Sequence, residues 1–264
     1  METQKNLRGK TALITGGGSG IGKASALELA ARGARVALFD RRVADLRQAK
    51  REIVARKGIC LTVAGDVASE RAIARCMARI RREWGRLDIV FANAGINGVW
   101  TRLENLRTSE WDETIRINLR GTFLTVKGAL PLLRQRGGSV IITSSVQGTR
   151  LFHNSGASPY ATSKAAQLAF GRMIALELAD HRIRVNTICP GAIRTNLGKN
   201  TEVRDVENLH LPIIVPKGAV PLTGGAPGSP EQVARLVAFL ASDEASHITG
   251  TEVFIDGGES LLLG

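Results

Sequence analysis

Short apolar runs recur along the chain at Thr11 to Thr15, Ala34 to Phe39, Ile59 to Ala64, Ile89 to Ala92, Ser139 to Thr143, Arg184 to Ile188 and Glu252 to Ile255. Each has the length and β-branched or aliphatic character of a buried strand, and longer amphipathic stretches separate them. Seven strands interleaved with helices require right-handed crossovers. The expected class is therefore α/β: a doubly wound, seven-stranded parallel sheet flanked by helices on both faces. Helix boundaries agree with this reading. Gly33, Gly58 and Gly85 close the first three helices, Ser69 followed by an acidic residue opens the third, and Pro131 sits in the last turns of the fifth, where a kink is expected. A chain of 264 residues buries about 70–75% of its unfolded surface in one core, so residues 1–264 are expected to form a single domain.

The first strand runs directly into Gly16, Gly17, Gly18, Ser19, Gly20, Ile21 and Gly22. A glycine-dense turn between a strand and a helix lets the backbone approach a pyrophosphate, and the free N–H groups of the helix start attract its charge. Asp40, twenty residues beyond Gly20, closes the second apolar run, where a carboxylate accepts hydrogen bonds from the adenosine ribose hydroxyls. A carboxylate there repels a 2′-phosphate, which favours NAD over NADP. Arg41 and Arg42 follow immediately, and either is able to turn onto such a phosphate.

Tyr160 and Lys164 lie four residues apart in a helix expected from about Pro159 to Ala179, so they share one helix face. At about 4 Å and an effective dielectric of about 20, the ammonium and the phenolate interact by about 4 kcal/mol, roughly three pKa units. A phenol that normally titrates near 10 is thereby brought toward about 7, where it serves as a general acid or base.

Together these pieces resemble the classical short-chain dehydrogenase/reductase family, over about Gly9 to Gly258. The matching residues are Thr15-Gly16-x-x-x-Gly20-x-Gly22, Asp66-Val67, Asn93-Ala94-Gly95, Asn118, Ser145, Tyr160-x-x-x-Lys164, Pro190-Gly191 with Thr195, and Asp256-Gly257-Gly258. The resemblance implies a Rossmann-like fold and a role at each matched position. Asp66 would hold the adenine amine beside the Val67 backbone, and the Asn93-Ala94-Gly95 turn would line the cofactor. Asn118 would bend the fifth helix and hold a water linked to Lys164. Pro190, Gly191, Ile193 and Thr195 would flank the nicotinamide. Ser145 would orient the substrate oxygen, Tyr160 would exchange its proton, and Lys164 would lower the phenol pKa and fix the ribose. Ser144 is the alternative hydroxyl to Ser145. The interval from Ser145 to Tyr160 is slightly longer than is usual in the family, which places extra residues in Thr149 to Ser158, on the substrate wall.

The rest of the composition restricts the function further. Formal charge is +12, but most of the excess is arginine spread over helices, such as Arg71, Arg75, Arg79, Arg81 and Arg82. Solvated helix faces explain this better than nucleic-acid binding. An acidic acyl-carrier protein is the more credible anionic partner. No run of about 18 apolar residues and no basic-then-apolar leader is present, so neither membrane nor secretion is indicated and a cytoplasmic location is expected. Cys60, Cys76 and Cys189 and the four histidines lack metal-ligand spacing, so no metal is expected and the thiols are read as reduced. His153, between Ser145 and Tyr160, reads as a loop histidine with no catalytic role, contact with substrate being the alternative.

The same resemblance implies that residues of about 195–229, an irregular segment of a length that is usually functional, form a lid over substrate. Its apolar centre, Leu211 to Val215, suits either a hydrophobic pocket or a subunit contact. Leu261 to Leu263 are apolar and suit burial against a partner chain, and the family resemblance implies a homo-oligomer, a tetramer or a dimer. The expected activity is NAD-dependent interconversion of a secondary alcohol and a ketone. The alternatives are NADPH-dependent reduction of a 3-oxoacyl group on acyl-carrier protein, and a non-catalytic dinucleotide-binding regulator, against which the retention of Tyr160 and Lys164 speaks.

Overall fold

The computed structural model of the chain describes residues 5–152, 154, 156–207 and 220–262. Seven parallel strands form the main sheet. In chain order its first half comprises β1 (Thr11–Thr15), α1 (Gly20–Ala31), β2 (Arg35–Asp40), α2 (Val43–Ala55), β3 (Ile59–Ala64), α3 (Glu70–Trp84) and β4 (Ile89–Ala92). A two-residue strand, β5 (Val99–Trp100), precedes α4 (Thr108–Ile115), a π-helical turn (Arg116–Arg120) and α5 (Gly121–Leu133). Then come β6 (Gly138–Thr143), α6 (Ser158–Ala179), β7 (Ile183–Pro190), the short β8 (Glu202–Val203), α7 (Pro230–Ala241) and β9 (Glu252–Ile255).

The strand order is β3-β2-β1-β4-β6-β7-β9, all parallel. The order in which successive strands are added reverses between β1 and β4, which opens a crevice at the carboxyl ends of the strands. Alternation along each strand divides the apolar side chains between two cores. Leu13 and Ala37 pack with Ile73, Ile80, Leu124 and Leu178 from α3, α5 and α6. Their strand neighbours Ala12, Ile14, Val36 and Leu38 face Leu29, Ile53 and Val237 from α1, α2 and α7. This is the doubly wound α/β arrangement expected from the run pattern.

Asp88 sets the start of the crevice strand. Its buried carboxylate accepts the Thr11 N–H at 2.8 Å and pairs with Arg86. Helix signals behave as read: Ser69 accepts the Ala72 N–H, and Gly85 ends α3 in the left-handed conformation. Pro131 lies inside the last turn of α5, as expected. One element was not foreseen. β5 and β8 pair as a separate two-stranded sheet, tying the loop after β4 to the segment after β7. The Arg204 guanidinium locks this sheet by gripping both carboxylate oxygens of Glu110, at 3.0 and 2.8 Å. His153 and Leu211 to Val215 lie outside the described residues.

Candidate functional site

The crevice is a cleft of about 320 Å³, at the small end of the ~300–1,000 Å³ typical of ligand pockets. Its floor is the glycine turn. Gly16 has a positive φ of 65°, open to glycine at little cost. A Cβ on Gly22 would fall on the Gly16 carbonyl oxygen, so only glycine lets α1 start this close to β1. Ser19, the residue before α1, makes no side-chain cap. The first N–H groups of the helix are thus left for an anion.

Thr15 staples this floor to the neighbouring strand. Its hydroxyl accepts the N–H groups of Asn93 and Ala94 at 3.0 and 3.2 Å, and its carbonyl accepts the Asn93 amide. Gly16, Ser19, Gly20, Ile21, Asn93, Ala94 and Gly95 all line the cleft, whereas Gly18 and Gly22 support it from behind. Gly18 does so by donating its N–H to Asp40 Oδ2 at 3.1 Å, while Asp40 Oδ1 accepts the Arg42 N–H at 3.0 Å.

The Arg42 side chain turns to the Ser19 hydroxyl and to Asp45. Arg41 lies on the cleft wall beside Asp40. Asp66 and Val67 line the same end. Burial opposes ionisation of Asp66, but the Ala68 N–H and the Arg116 guanidinium, 2.6 Å away, outweigh it and hold the carboxyl below its usual range. Arg116 was not anticipated. It comes from the π-helical turn and is gripped by Glu113 as well, at the rim of the cleft.

Across the cleft, Ser144 and Ser145 follow directly on the end of β6, and α6 brings Tyr160 and Lys164 over them. All four are buried and face the cleft. The two serines divide cleanly. Ser144 donates to the Lys164 carbonyl at 2.7 Å and is fixed to the helix backbone, while the Ser145 hydroxyl accepts the Gln147 N–H at 3.1 Å, points to the Pro190 carbonyl at 3.5 Å, and is near enough to the Tyr160 phenol to favour its ionised form.

The tyrosine and lysine share a face, but not as a direct pair. Lys164 Nζ lies 5.5 Å from the Tyr160 ring centroid and donates at 2.9 Å to the Thr143 carbonyl and at 2.9 Å to Gln167 Oε1. Burial therefore dominates both groups. It pushes the phenol up, against the lowering influence of the nearby Ser145 hydroxyl, and brings the ammonium down to about 8. The expected drop of the phenol toward neutrality is absent from this arrangement. The helical spacing predicts proximity, whereas the ammonium turns to two carbonyl-type acceptors that the spacing does not reveal.

Asn118 sits in the π-helical turn, consistent with the expected irregularity in that helix. It lies behind Lys164 and away from the cleft wall. Its side chain bridges Ile96 N and O at 2.8 and 2.9 Å and donates to Ser163 at 2.9 Å. Its carbonyl accepts Gln167 Nε2 at 3.0 Å. Gln167 is the second residue that sequence reasoning missed.

Pro190, Gly191, Ile193 and Thr195 form the remaining wall. Glu259 accepts the Ala192 N–H at 2.6 Å, and Ile193 bridges to Gly228, so this wall is braced by the chain end. Among the described residues no cluster of three or more His, Cys, Asp or Glu is arranged to hold a metal, and no helix is long and apolar enough to cross a membrane. The cleft therefore presents an anion-ready helix start, two carboxylates at one end, and a serine, a tyrosine and an ammonium at the other.

Comparison with known proteins extends over nearly the whole chain. Residues 16–260 match the family described as "Enoyl-(Acyl carrier protein) reductase". Levodione reductase of Leifsonia aquatica is 37% identical over 259 residues, 95% of this chain and 94% of that protein. The crystal structure of a 3-ketoacyl-ACP reductase from Sinorhizobium meliloti superposes with a TM-score of 0.92 at 48% identity, covering 96% of this chain and 99% of the other. A 3-ketoacyl-(acyl-carrier-protein) reductase from Brucella melitensis, solved in complex with NADH, has a TM-score of 0.85 at 28% identity, over 96% and 99% of the two chains.

Proposed function

The chain belongs to the short-chain dehydrogenase/reductase family, and on that premise we propose that it transfers hydride between NAD and a secondary alcohol or ketone, with Tyr160 as general acid and base. The observation that carries this reading is the convergence of Ser145, Tyr160 and Lys164 on one cleft floored by the glycine turn. Members of the family bind a nicotinamide dinucleotide, and the residues here fit one: the α1 N–H groups suit the pyrophosphate, and the missing Cβ at Gly22 leaves room for the turn beneath it. When bound, the nicotinamide supplies or accepts the hydride. Asp66 and Val67 serve the adenine end. Asn93, Ala94 and Gly95 with Pro190, Gly191, Ile193 and Thr195 serve the nicotinamide end.

Ser145 holds the substrate oxygen against the phenol. In ketone reduction Tyr160 gives its proton to that oxygen, and a phenol kept protonated by burial suits that task at neutral pH. In alcohol oxidation the phenol must first lose its proton, with the Lys164 charge favouring the phenolate. Reduction should therefore slow, and oxidation accelerate, as pH rises through the phenol's titration.

Asp40 favours NAD. Two backbone N–H groups hold its carboxylate at the ribose end of the cleft, where a 2′-phosphate would meet like charge, and the Arg42 side chain turns to Ser19 and Asp45. The second reading, reduction of a 3-oxoacyl group on acyl-carrier protein with NADPH, draws on Arg41 beside Asp40, the +12 charge and the name of the Sinorhizobium relative. The working arrangement is a single domain, with the described segment after Thr195 beside the substrate, in a cytoplasmic homo-oligomer. For the last, Phe123 packs edge-on against Phe170 on a surface of α5 and α6 that also exposes Met173 and Leu176.

Secondary alcohols and ketones, including cyclohexanol, levodione and an acetoacetyl thioester, should be assayed with NAD(H) and NADP(H) by the absorbance of reduced nicotinamide. Higher kcat/KM with NADP overturns the cofactor choice, and turnover of the thioester alone selects the second reading. Tyr160→Phe should lower kcat by about 10²–10⁴-fold and leave NAD affinity within about twofold. Retained turnover in that variant removes Tyr160 from the proton step.

A further inference from the structure

Gln167 lies one turn beyond Lys164 on α6 and is fully buried. Its amide makes three hydrogen bonds: Oε1 accepts from Lys164 Nζ at 2.9 Å, and Nε2 donates to the Asn118 carbonyl at 3.0 Å and to Thr122 Oγ1 at 2.7 Å. The orientation of the amide is forced, because an ammonium only donates and a carbonyl only accepts. Thr122 in turn donates to the same Asn118 carbonyl at 2.8 Å. The amide is thus a protein link between the ammonium and the π-helical turn, at the place where the family resemblance predicts a water.

We propose that Gln167 is a positioning residue, holding the Lys164 ammonium beneath the Tyr160 phenol and tying it to the main chain of the π-helical turn. The proposal rests on the reading of Tyr160 and Lys164 as the proton-handling pair. A leucine or methionine at 167 has the volume but no acceptor. It would leave Lys164 with Thr143 O alone, and a buried ammonium short of an acceptor gives up its proton more readily. The phenol would then lose its positive neighbour. Few other charges intervene. β6 and α5 bring Thr143, Ser144, Ser145 and Thr122 to this point, all uncharged. From β7 comes Cys189, the titratable neighbour whose charge registers on Lys164; burial pushes its thiol up to about 11, so it is neutral near pH 7.

Tyr160 is the only tyrosine in the chain, so the ultraviolet absorbance of tyrosinate reports its ionisation directly. Wild type and Gln167→Met should be titrated alone and with saturating NAD, and the pH profile of kcat for cyclohexanol, or for whichever alcohol in the panel is turned over, recorded beside them. With NAD bound, tyrosinate should appear about one pH unit later in Gln167→Met. The acid limb of alcohol oxidation should move up by a similar amount, and kcat at pH 7 should fall about tenfold with KM nearly unchanged. Should Gln167→Met not fold, Thr122→Val removes one anchor of the amide and should move the same curves in the same direction by a few tenths of a unit. Superimposable titration curves in a folded variant overturn the proposal. Absence of any wild-type turnover instead counts against the dehydrogenase reading, and the absorbance titration still decides the role of Gln167.

Discussion

Lys164 carries a cost at the residue scale. Its ammonium is buried and titrates at about 8 in the folded protein, against an ordinary 10.5. Below about pH 8 both folded and unfolded chains hold the proton, and the penalty is fully present. Between about 8 and 10.5 the unfolded chain binds more protons, so stability rises with pH as the penalty is relieved. The shift corresponds to roughly 3 kcal/mol, reduced by the orphaned Thr143 and Gln167 acceptors when the lysine is removed. Lys164→Met should therefore raise the denaturant midpoint at pH 7 and lose that advantage by about pH 10.5, while turnover is lost. A midpoint difference independent of pH would contradict this.

The same residues mark the limit of what sequence reveals. Tyr160, Lys164 and Asp40 are legible because helical spacing or a strand end fixes their position in a local frame. Gln167 reads only as another polar residue on a helix. Its partners Asn118 and Thr122 lie 49 and 45 residues away, and only folding brings them together. Arg116 is hidden for the same reason, since its partner Asp66 is 50 residues back along the chain.

Among the elements, α7 packs against α1 and β6 with Val233 and Val237 in the core, and its start is a complete capping box. Ser229 accepts the Gln232 N–H, the Gln232 side chain accepts the Ser229 N–H at 2.7 Å, and Pro230 occupies the first turn. Ser229→Ala should cost about 1 kcal/mol, read as a lower urea midpoint with an unchanged slope; no change would mean that the end frays without consequence. The seven strands of the main sheet and their helices were legible because each strand is a short apolar run, buried at the centre of the sheet and only half-buried along most of the edge strands β3 and β9. The β5 and β8 pair was not. Each contributes two residues, Val99–Trp100 and Glu202–Val203, too few to carry a period, and their pairing joins loops about a hundred residues apart.

At the scale of the molecule, the alternation that separated the two cores places a layer of hydrogen-bonded backbone between them. Ile80 belongs to one and Ile53 to the other. Trimming either to valine should cost about 0.5–1.5 kcal/mol. Because no shared cavity or side chain joins them, the double variant should lose the sum within about 0.5 kcal/mol. A larger coupling energy, measured by urea unfolding of the four proteins, would show that strain crosses the layer. The sheet acts as a bulkhead: damage on the α3 side leaves the compartment under the α1 turn dry and intact.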